Sequence, residues 1–298
     1  MLSCNSFNSC TDKSQDDYRD QLFAKQLLFS LESAGKKVFP DYHTGWHFDD
    51  KVGQKYLLES VGIPLVPSYV FYTQKEAVKW LENTTFPKVF KLRGGAGSSN
   101  VQLVHNLSES KRLVRKAFHR GFSQFNRIAY LKERYNKWRH GRDTFMGVCK
   151  GIGRLVIPTE RAIMRGREKG YAYFQDFIPN NNYDLRVIVI GNKAFAIKRL
   201  CREGDFRASG SGRILFNKEE IDERCVRLSF KAAESLHSQC MGYDWVFNEN
   251  GDPYIVEMCF GFAVAAYDMC EGYWTSDMEW HAESHFDFCG WMVETIIN

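Results

Sequence analysis

Two stretches of the chain each hold a pair of apolar runs folded back on a turn, and no other feature restricts the fold as much. In GYDWVFNENGDPYIVEM, residues 242–258, two such runs flank Asn250-Gly251, the strongest short signal for a β-hairpin. A hairpin centred there sets Asp244 directly opposite Glu257. Directly paired side chains leave the same face with their Cβ atoms about 4.5–5.5 Å apart. Two carboxylates at that spacing repel unless they share a proton or a cation. A Mg²⁺ ion that also grips phosphate oxygens resolves the repulsion. The alternative, an acid pair at a solvated sheet edge, sits poorly with the apolar flanks. Cys259 falls on the same face, one strand step beyond Glu257, and a thiol is a poor ligand for a hard cation.

The second hairpin is NYDLRVIVIGNKAFAIKRL, residues 182–200, turning at Gly191-Asn192. Its register sets Asp184 opposite Arg199, with Arg186 on the same face. Ionic residues gather at the end far from the turn, while Ile188, Ile190 and Phe195 hold the rest. An ordinary cross-strand ion pair has the same appearance. A third element is KVFKLRGGAGSSNVQLV, residues 88–104. Here a strand delivers Lys91 to a loop containing Gly94, Gly95, Gly97 and Ser98, and glycines let backbone N–H groups approach phosphates closely. A strand follows this loop where a Walker A or dinucleotide fingerprint demands a helix, so it is neither of those.

Around these elements, the spacing predicts a helix over 21–34 stopped by Gly35, and a helix capped by Asp50 and closed by Gly62. A strand follows at 66–72, then a helix from Thr73 to about Leu81, and strands at 88–92 and 101–104. Two helices fit 108–120 and 123–140, a buried strand fits 171–178, and a long helix fits about 218–238 between the hairpins. Residues 1–20 are polar.

Composition excludes several classes. With 44% apolar, 26% charged and 15% aromatic residues among 298, the chain is globular and not disordered. No apolar run reaches the length of a membrane span, and the N-terminus lacks the pattern of a secretory signal. Nine scattered cysteines without a CxxC pair favour reduced thiols in a cytoplasm over a disulfide framework. The net charge of +4 is uneven: residues 111–170 hold 17 Lys and Arg against four acids. That segment is either a solvated helical insertion or a surface for a polyanion, such as nucleic acid, acidic saccharide, a phosphorylated substrate or an anionic membrane. His281 and His285 would share a face if helical and could bind a transition metal. The preferred reading of that region is a polar segment whose Trp280 and Trp291 pack on the body.

Taken together, Asp50-Lys51, Lys91 with its glycine loop, Gln175-Asp-Phe-Ile178, Asp184-Leu-Arg186, Arg202-Glu-Gly-Asp-Phe-Arg-Ala-Ser209, Asp244 and Glu257 resemble the ATP-grasp superfamily, and within it the RimK-type ligases. The resemblance runs over about 49–262 and implies an α+β ATP-grasp fold, two α/β subdomains gripping ATP between antiparallel sheets. Residues 1–48 would be a shortened N-terminal region. Residues 49–178 would form the N-terminal subdomain, with a basic helical insertion at about 108–170, and 179–298 the C-terminal subdomain with the metal site. Lys51 and Lys91 would hold the nucleotide phosphates under loop 94–99. Gln175, Asp176 and Phe177 would line the adenine hinge, the last two through their backbone. Asp184 would meet the ribose, and Arg207, Ala208 and Ser209 would lie against the nucleotide. Asp244 and Glu257 would bind Mg²⁺, with Mn²⁺ an alternative ion, while Arg186 and Arg199 would face the transferred phosphoryl group. Where the family has Asn two residues after the metal-binding Glu, this chain has Cys259.

The implied activity is an ATP-dependent ligase that activates a carboxylate as an acyl phosphate and joins it to an amine, with the basic insertion suggesting an anionic acceptor such as a saccharide precursor or acidic peptide. Two other readings stand beside it. One is a phosphotransferase using the same nucleotide site. The other is a nucleic-acid-binding module on the basic segment, where Tyr130, Tyr135 and Trp138 could stack bases, although packing of those rings onto the body explains them equally well.

Overall fold

The computed structural model describes residues 19–95, 100–123, 127–139, 144–157, 163, 166–202, 207–208 and 212–297. Its strands in chain order are β1 (Ser68–Phe71), β2 (Lys88–Lys91), β3 (Val101–Val104), β4 (Phe122–Ser123), β5 (Arg167–Glu168), β6 (Ala172–Asp176), β7 (Tyr183–Ile190), β8 (Lys193–Leu200), β9 (Ile214–Leu215), β10 (Cys240–Phe247), β11 (Pro253–Cys259), β12 (Gly272–Thr275) and β13 (Trp280–Ala282). They form a four-stranded sheet in the order β1-β6-β2-β3 and a seven-stranded sheet in the order β11-β10-β7-β8-β12-β13, with β9 joined to β8. Pairing within both sheets is antiparallel.

Strict two-residue alternation sorts the long hairpins into two faces. On one face Leu185, Val187 and Val189 of β7, Ala194 and Ala196 of β8, and Met241, Tyr243 and Trp245 of β10 pack with Cys225, Val226, Ala232 and Ala233 of the helix Glu223–Ser235. On the other, Ile188, Ile190, Phe195 and Ile197 pack with Phe286, Phe288, Trp291 and Met292 of the C-terminal region. That second apolar layer stops short of Asp184, Arg186, Arg199 and Asp244, which continue the same face. Polar chemistry is therefore confined to one end of an otherwise oily surface.

The four-stranded sheet follows the same rule. Phe90, Ala172 and Phe174 lie under Ala77 and Leu81 of the helix Gln74–Leu81 and under Leu113 and Val114 of the helix Leu107–Phe118. Lys91, one position out of phase with Phe90, belongs to the opposite face. A short link joins the two sheets: Val66 N–H donates to the Ile255 carbonyl at 3.0 Å, and Ile255 N–H donates to the Pro64 carbonyl at 2.8 Å. Residues 64–66 thereby cover part of the outer edge of β11, where Pro253 is tolerated because an edge strand lacks one set of ladder bonds.

The β7–β8 register sets Asp184 against Arg199, as expected. The β10–β11 hairpin reaches the expected pairing by another route. Its turn is longer than two residues: Phe247 pairs with Pro253, and the Asn248 side chain accepts from the Asn250 and Asp252 N–H groups at 2.9 and 2.8 Å. A bulge between the Trp245↔Ile255 and Asp244↔Glu257 pairs then restores the register. The extra residue is Val256, and a bulge shifts the alternation by one position. Ile255 thus points to the helix-covered core while Glu257 leaves on the face of Asp244.

The basic segment differs more from expectation. The helix expected over 123–140 is present as Arg127–Arg139, but a further helix, Phe145–Val156, follows it, and residues 122–123 pair with 167–168. Gly121, at φ 66°, makes that closure possible, since a Cβ there would lie 2.7 Å from the Glu168 carbonyl. Gly147, Gly151 and Gly153 lower helix propensity and hid the second helix, which the Thr144 hydroxyl caps by accepting from Gly147 N–H. Tyr135 and Trp138 are exposed instead of packed on the body, and the Tyr130 side chain lies outside the described residues. His281 sits in β13 and stacks on Tyr273, with His285 beyond the strand. The pair therefore shares no helical face, while Trp280 and Trp291 pack on the body as expected.

Candidate nucleotide and metal site

Lys51 opens the helix Lys51–Ser60, whose N-terminus the Asp50 carboxylate caps by accepting from Gly53 N–H at 2.9 Å. Ahead of it Asp49 adopts φ 53°, a left-handed conformation that Asp tolerates better than most residues. From there its carboxylate accepts the Gly95 N–H at 2.5 Å. The Lys51 backbone N–H donates to the Arg93 carbonyl at 2.9 Å. Its ammonium donates to the Gly95 carbonyl at 2.8 Å and meets Glu257 Oε1 at 3.0 Å. One lysine therefore ties the root of the glycine loop to the acid of β11. Gly95 itself has φ 123°, and a Cβ there would strike the Asn100 amide, whose nitrogen donates to the Gly94 carbonyl at 2.9 Å.

Lys91 projects into the same cleft from β2. It is almost fully buried, and its ammonium reaches the Val256 carbonyl at 3.4 Å. Burial and the neighbouring Lys51 charge, only partly offset by Glu257, pull its pKa down to about 8. For Lys51 burial also opposes the charge, but the Glu257 carboxylate outweighs it and raises the pKa.

Facing the lysines, the seven-stranded sheet carries a network of arginines and aspartates. Arg186 grips Asp244 with two bonds of 2.5 and 2.6 Å. Arg199 grips Asp184 with two of 2.7 Å and reaches Asp244 at 2.9 Å. Such bidentate pairs fix orientation as well as charge. Burial works against the Asp244 charge, yet the two guanidiniums prevail and hold its carboxyl well below the usual carboxylate range. Tyr267 is buried beside Arg186.

Lys51, Lys91, Gly94, Gly95, Asp184, Arg186, Arg199, Asp244 and Glu257 are thus gathered into one cleft. Gln175 is buried and donates its side-chain amide to Ser68 Oγ at 3.0 Å. Asp176 donates its N–H to the Pro67 carbonyl and its carboxylate accepts from the Lys88 ammonium, so neither group is turned to a ligand. Phe177 follows directly after β6. Arg207 is half-buried and Ala208 buried; Gly97, Ser98 and Ser209 lie outside the described residues. Sequence reasoning missed Asp49, Tyr267 and the Val256 carbonyl. Asp49 carried one signal, a second acid ahead of the cap; the other two carried none.

Asp244 and Glu257 offer hard oxygen donors on one face, the donor type that Mg²⁺ takes when phosphate oxygens and water supply the other positions. Among the described residues no group of three or more His, Cys, Asp or Glu could hold a metal. Cys259 does not extend the donor set: it pairs with Gly242, and its thiol donates to the Gly261 carbonyl.

Residues 158–272 match the RimK-like ATP-grasp domain family. The chain is similar in structure to a RimK domain ATP-grasp protein from Sphaerobacter thermophilus, with a TM-score of 0.50, 16% identity, and 82% of this chain and 71% of that one covered. The fold is ATP-grasp. The same fold relates the chain to the biotin carboxylase domain of 2-oxoglutarate carboxylase from Hydrogenobacter thermophilus, solved with MgADP, ADP and bicarbonate (TM-score 0.55, 16% identity, 91% of this chain and 50% of that one). Biotin carboxylase from Campylobacter jejuni, solved with an ATP analogue, is similar over 80% of this chain and 46% of its own (TM-score 0.51, 16% identity). The ATP-grasp chain described here thus spans about half the length of those two carboxylases. No curated protein matches it by sequence.

Proposed function

We propose that the chain is an ATP-dependent ligase that activates a carboxylate as an acyl phosphate and couples it to an amine. The observation that carries this reading is the Lys51 ammonium, which bridges the Gly95 carbonyl and Glu257 and so joins the glycine loop to the acid pair in one cleft. In the proposed roles, Lys51 and Lys91 hold the nucleotide phosphates beneath loop 94–99, and backbone at Phe177 meets the adenine. Arg207 to Ser209 line the nucleotide. Asp244 and Glu257 hold Mg²⁺, which when bound neutralises phosphate charge.

A carboxylate oxygen of the first substrate attacks the γ-phosphorus of ATP and ADP leaves. The amine then attacks the acyl carbon, expels phosphate and loses a proton. Arg186 and Arg199 face the negative charge that moves between these groups. Because Arg199 already holds Asp184, we assign Asp184 to orienting that arginine rather than to the ribose contact first expected. Chemistry of this kind depends on positioning and charge neutralisation and needs no protein nucleophile.

The test is ADP and phosphate release from Mg-ATP across libraries of acids and amines. The reading requires equal release of both that depends on acid and amine together and is lost in Lys91→Ala. A stable phosphorylated product formed without amine would make the chain a phosphotransferase instead.

A further inference from the structure

The helical hairpin Arg127–Arg139 and Phe145–Val156 is used by none of the proposed chemistry. The two helices pack along one another with Gly147, Val148 and Gly151 buried. Gly151 lies so close to Leu131 that a Cβ would sit 3.0 Å from its Cδ1. One solvent-facing side of the second helix is apolar. Phe145 and Met146 are both 64% exposed, Ile152 is 55% exposed and Ile157, just beyond the helix, 65%. Phe145, Cys149 and Ile152 follow the helical period on one side, and Cys149 is exposed as well. The strip continues onto the first helix through Trp138, whose ring centroid is 5.8 Å from that of Phe145, and Tyr135, 5.8 Å further on. Exposed Lys132, Arg139 and Lys150 border it. Over residues 127–157 there are eight Lys and Arg against two acids.

We propose that this hairpin docks on an anionic lipid bilayer, lying in the headgroup region with the Phe145–Ile152 side turned into the acyl boundary. Apolar side chains collected on an exposed helix, aromatic rings beside them and a cationic rim are the elements of interfacial binding. The described residues contain no helix able to span a membrane, so attachment is peripheral. An anionic small-molecule acceptor would use the cations but not the exposed Phe, Met and Ile. A second copy docked through the same face would set like charges against each other.

The test is co-sedimentation of the full chain with vesicles of phosphatidylcholine alone and of phosphatidylcholine with phosphatidylglycerol. Binding should appear with the anionic vesicles, weaken with added salt, and be weaker by about tenfold or more on phosphatidylcholine alone. Phe145→Ser with Ile152→Ser, and separately Lys132→Glu with Lys150→Glu, should each lower partitioning about tenfold or more. Because these side chains are exposed, unfolding temperature and the Mg-ATP thermal shift should stay unchanged. The proposal is overturned if the chain ignores anionic vesicles, binds both lipid mixtures equally, keeps its affinity in both double variants, or binds single-stranded RNA or an acidic protein more tightly than the vesicles.

Discussion

The two walls of the cleft neutralise their charges in opposite ways. On the seven-stranded sheet, Arg186, Arg199, Asp184 and Asp244 satisfy one another through bidentate bonds, so that wall is rigid and electrically complete before any ligand arrives. Across from it, Lys91 is buried with only a backbone carbonyl within reach of its ammonium among the described residues, and its pKa has fallen to about 8. One wall is built from the protein's own counter-charges, while on the other Lys51 has Glu257 but Lys91 has no carboxylate in contact among the described residues. In the function proposed here a nucleotide phosphate would supply the counter-charge that Lys91 lacks, beside an arginine wall already held by its own ion pairs.

This contrast can be broken by substitution. The largest effect should come from Asp244→Asn, which leaves the buried Arg199 and half-buried Arg186 guanidiniums short of their counter-charge; stability in urea should fall by about 3–5 kcal/mol. If the loss were under about 1 kcal/mol, the arginine wall would not be self-completed. On the lysine side, His47 lies in the segment leading to Asp49, and both its ring nitrogens lack a partner among the described residues. Burial lowers its pKa from 6.5 to about 4. The unfolded chain therefore binds the proton more tightly, and stability should decline as pH drops from about 6.5 to 4, by up to about 3 kcal/mol. His47→Phe should flatten that part of the pH profile.

Lys91→Met should do the reverse of an ordinary site mutation. The folded pKa lies below the unfolded value of 10.5, so the charged lysine opposes folding below pH 8, and this penalty fades as pH rises from 8 to 10.5. Removing the charge should raise the apo protein's stability at pH 7 by about 2–3 kcal/mol and abolish the Mg-ATP thermal shift. In the unaltered protein, Mg-ATP affinity measured by calorimetry should weaken by up to about tenfold per pH unit above pH 8, as Lys91 loses its proton. The smallest effect is expected from Cys259→Asn, which places an oxygen two residues beyond Glu257. Mn²⁺ titration should show tightening of about tenfold or less, since a single neutral donor is added.

Much of this was legible in the chain. Alternation in 183–200 specified both the register and the confinement of ionic residues to one end, because each side chain's face follows directly from its position. Asp244 and Glu257 were also placed correctly, although the assumed two-residue turn was not the real one. The longer loop and the Val256 bulge compensate each other, and neither leaves a trace in composition. The lysine wall was half legible: Lys51 and Lys91 stand in recognisable contexts, whereas Asp49 acts through a left-handed backbone that sequence period does not report. The basic segment was the least legible, since three glycines masked a helix whose exposed side violates the usual rule of apolar residues turning inward.

The bulge at Val256 has a consequence for how this hairpin can vary. The loop 248–252 lies outside the ladder, so its length can change without turning any side chain over. A deletion of Val256 acts differently. It would make the ladder regular and keep Ile255 and Glu257 on their present opposite faces, but it would remove the carbonyl on which the Lys91 ammonium rests. The extra residue therefore serves the buried lysine more than the phase of the strand.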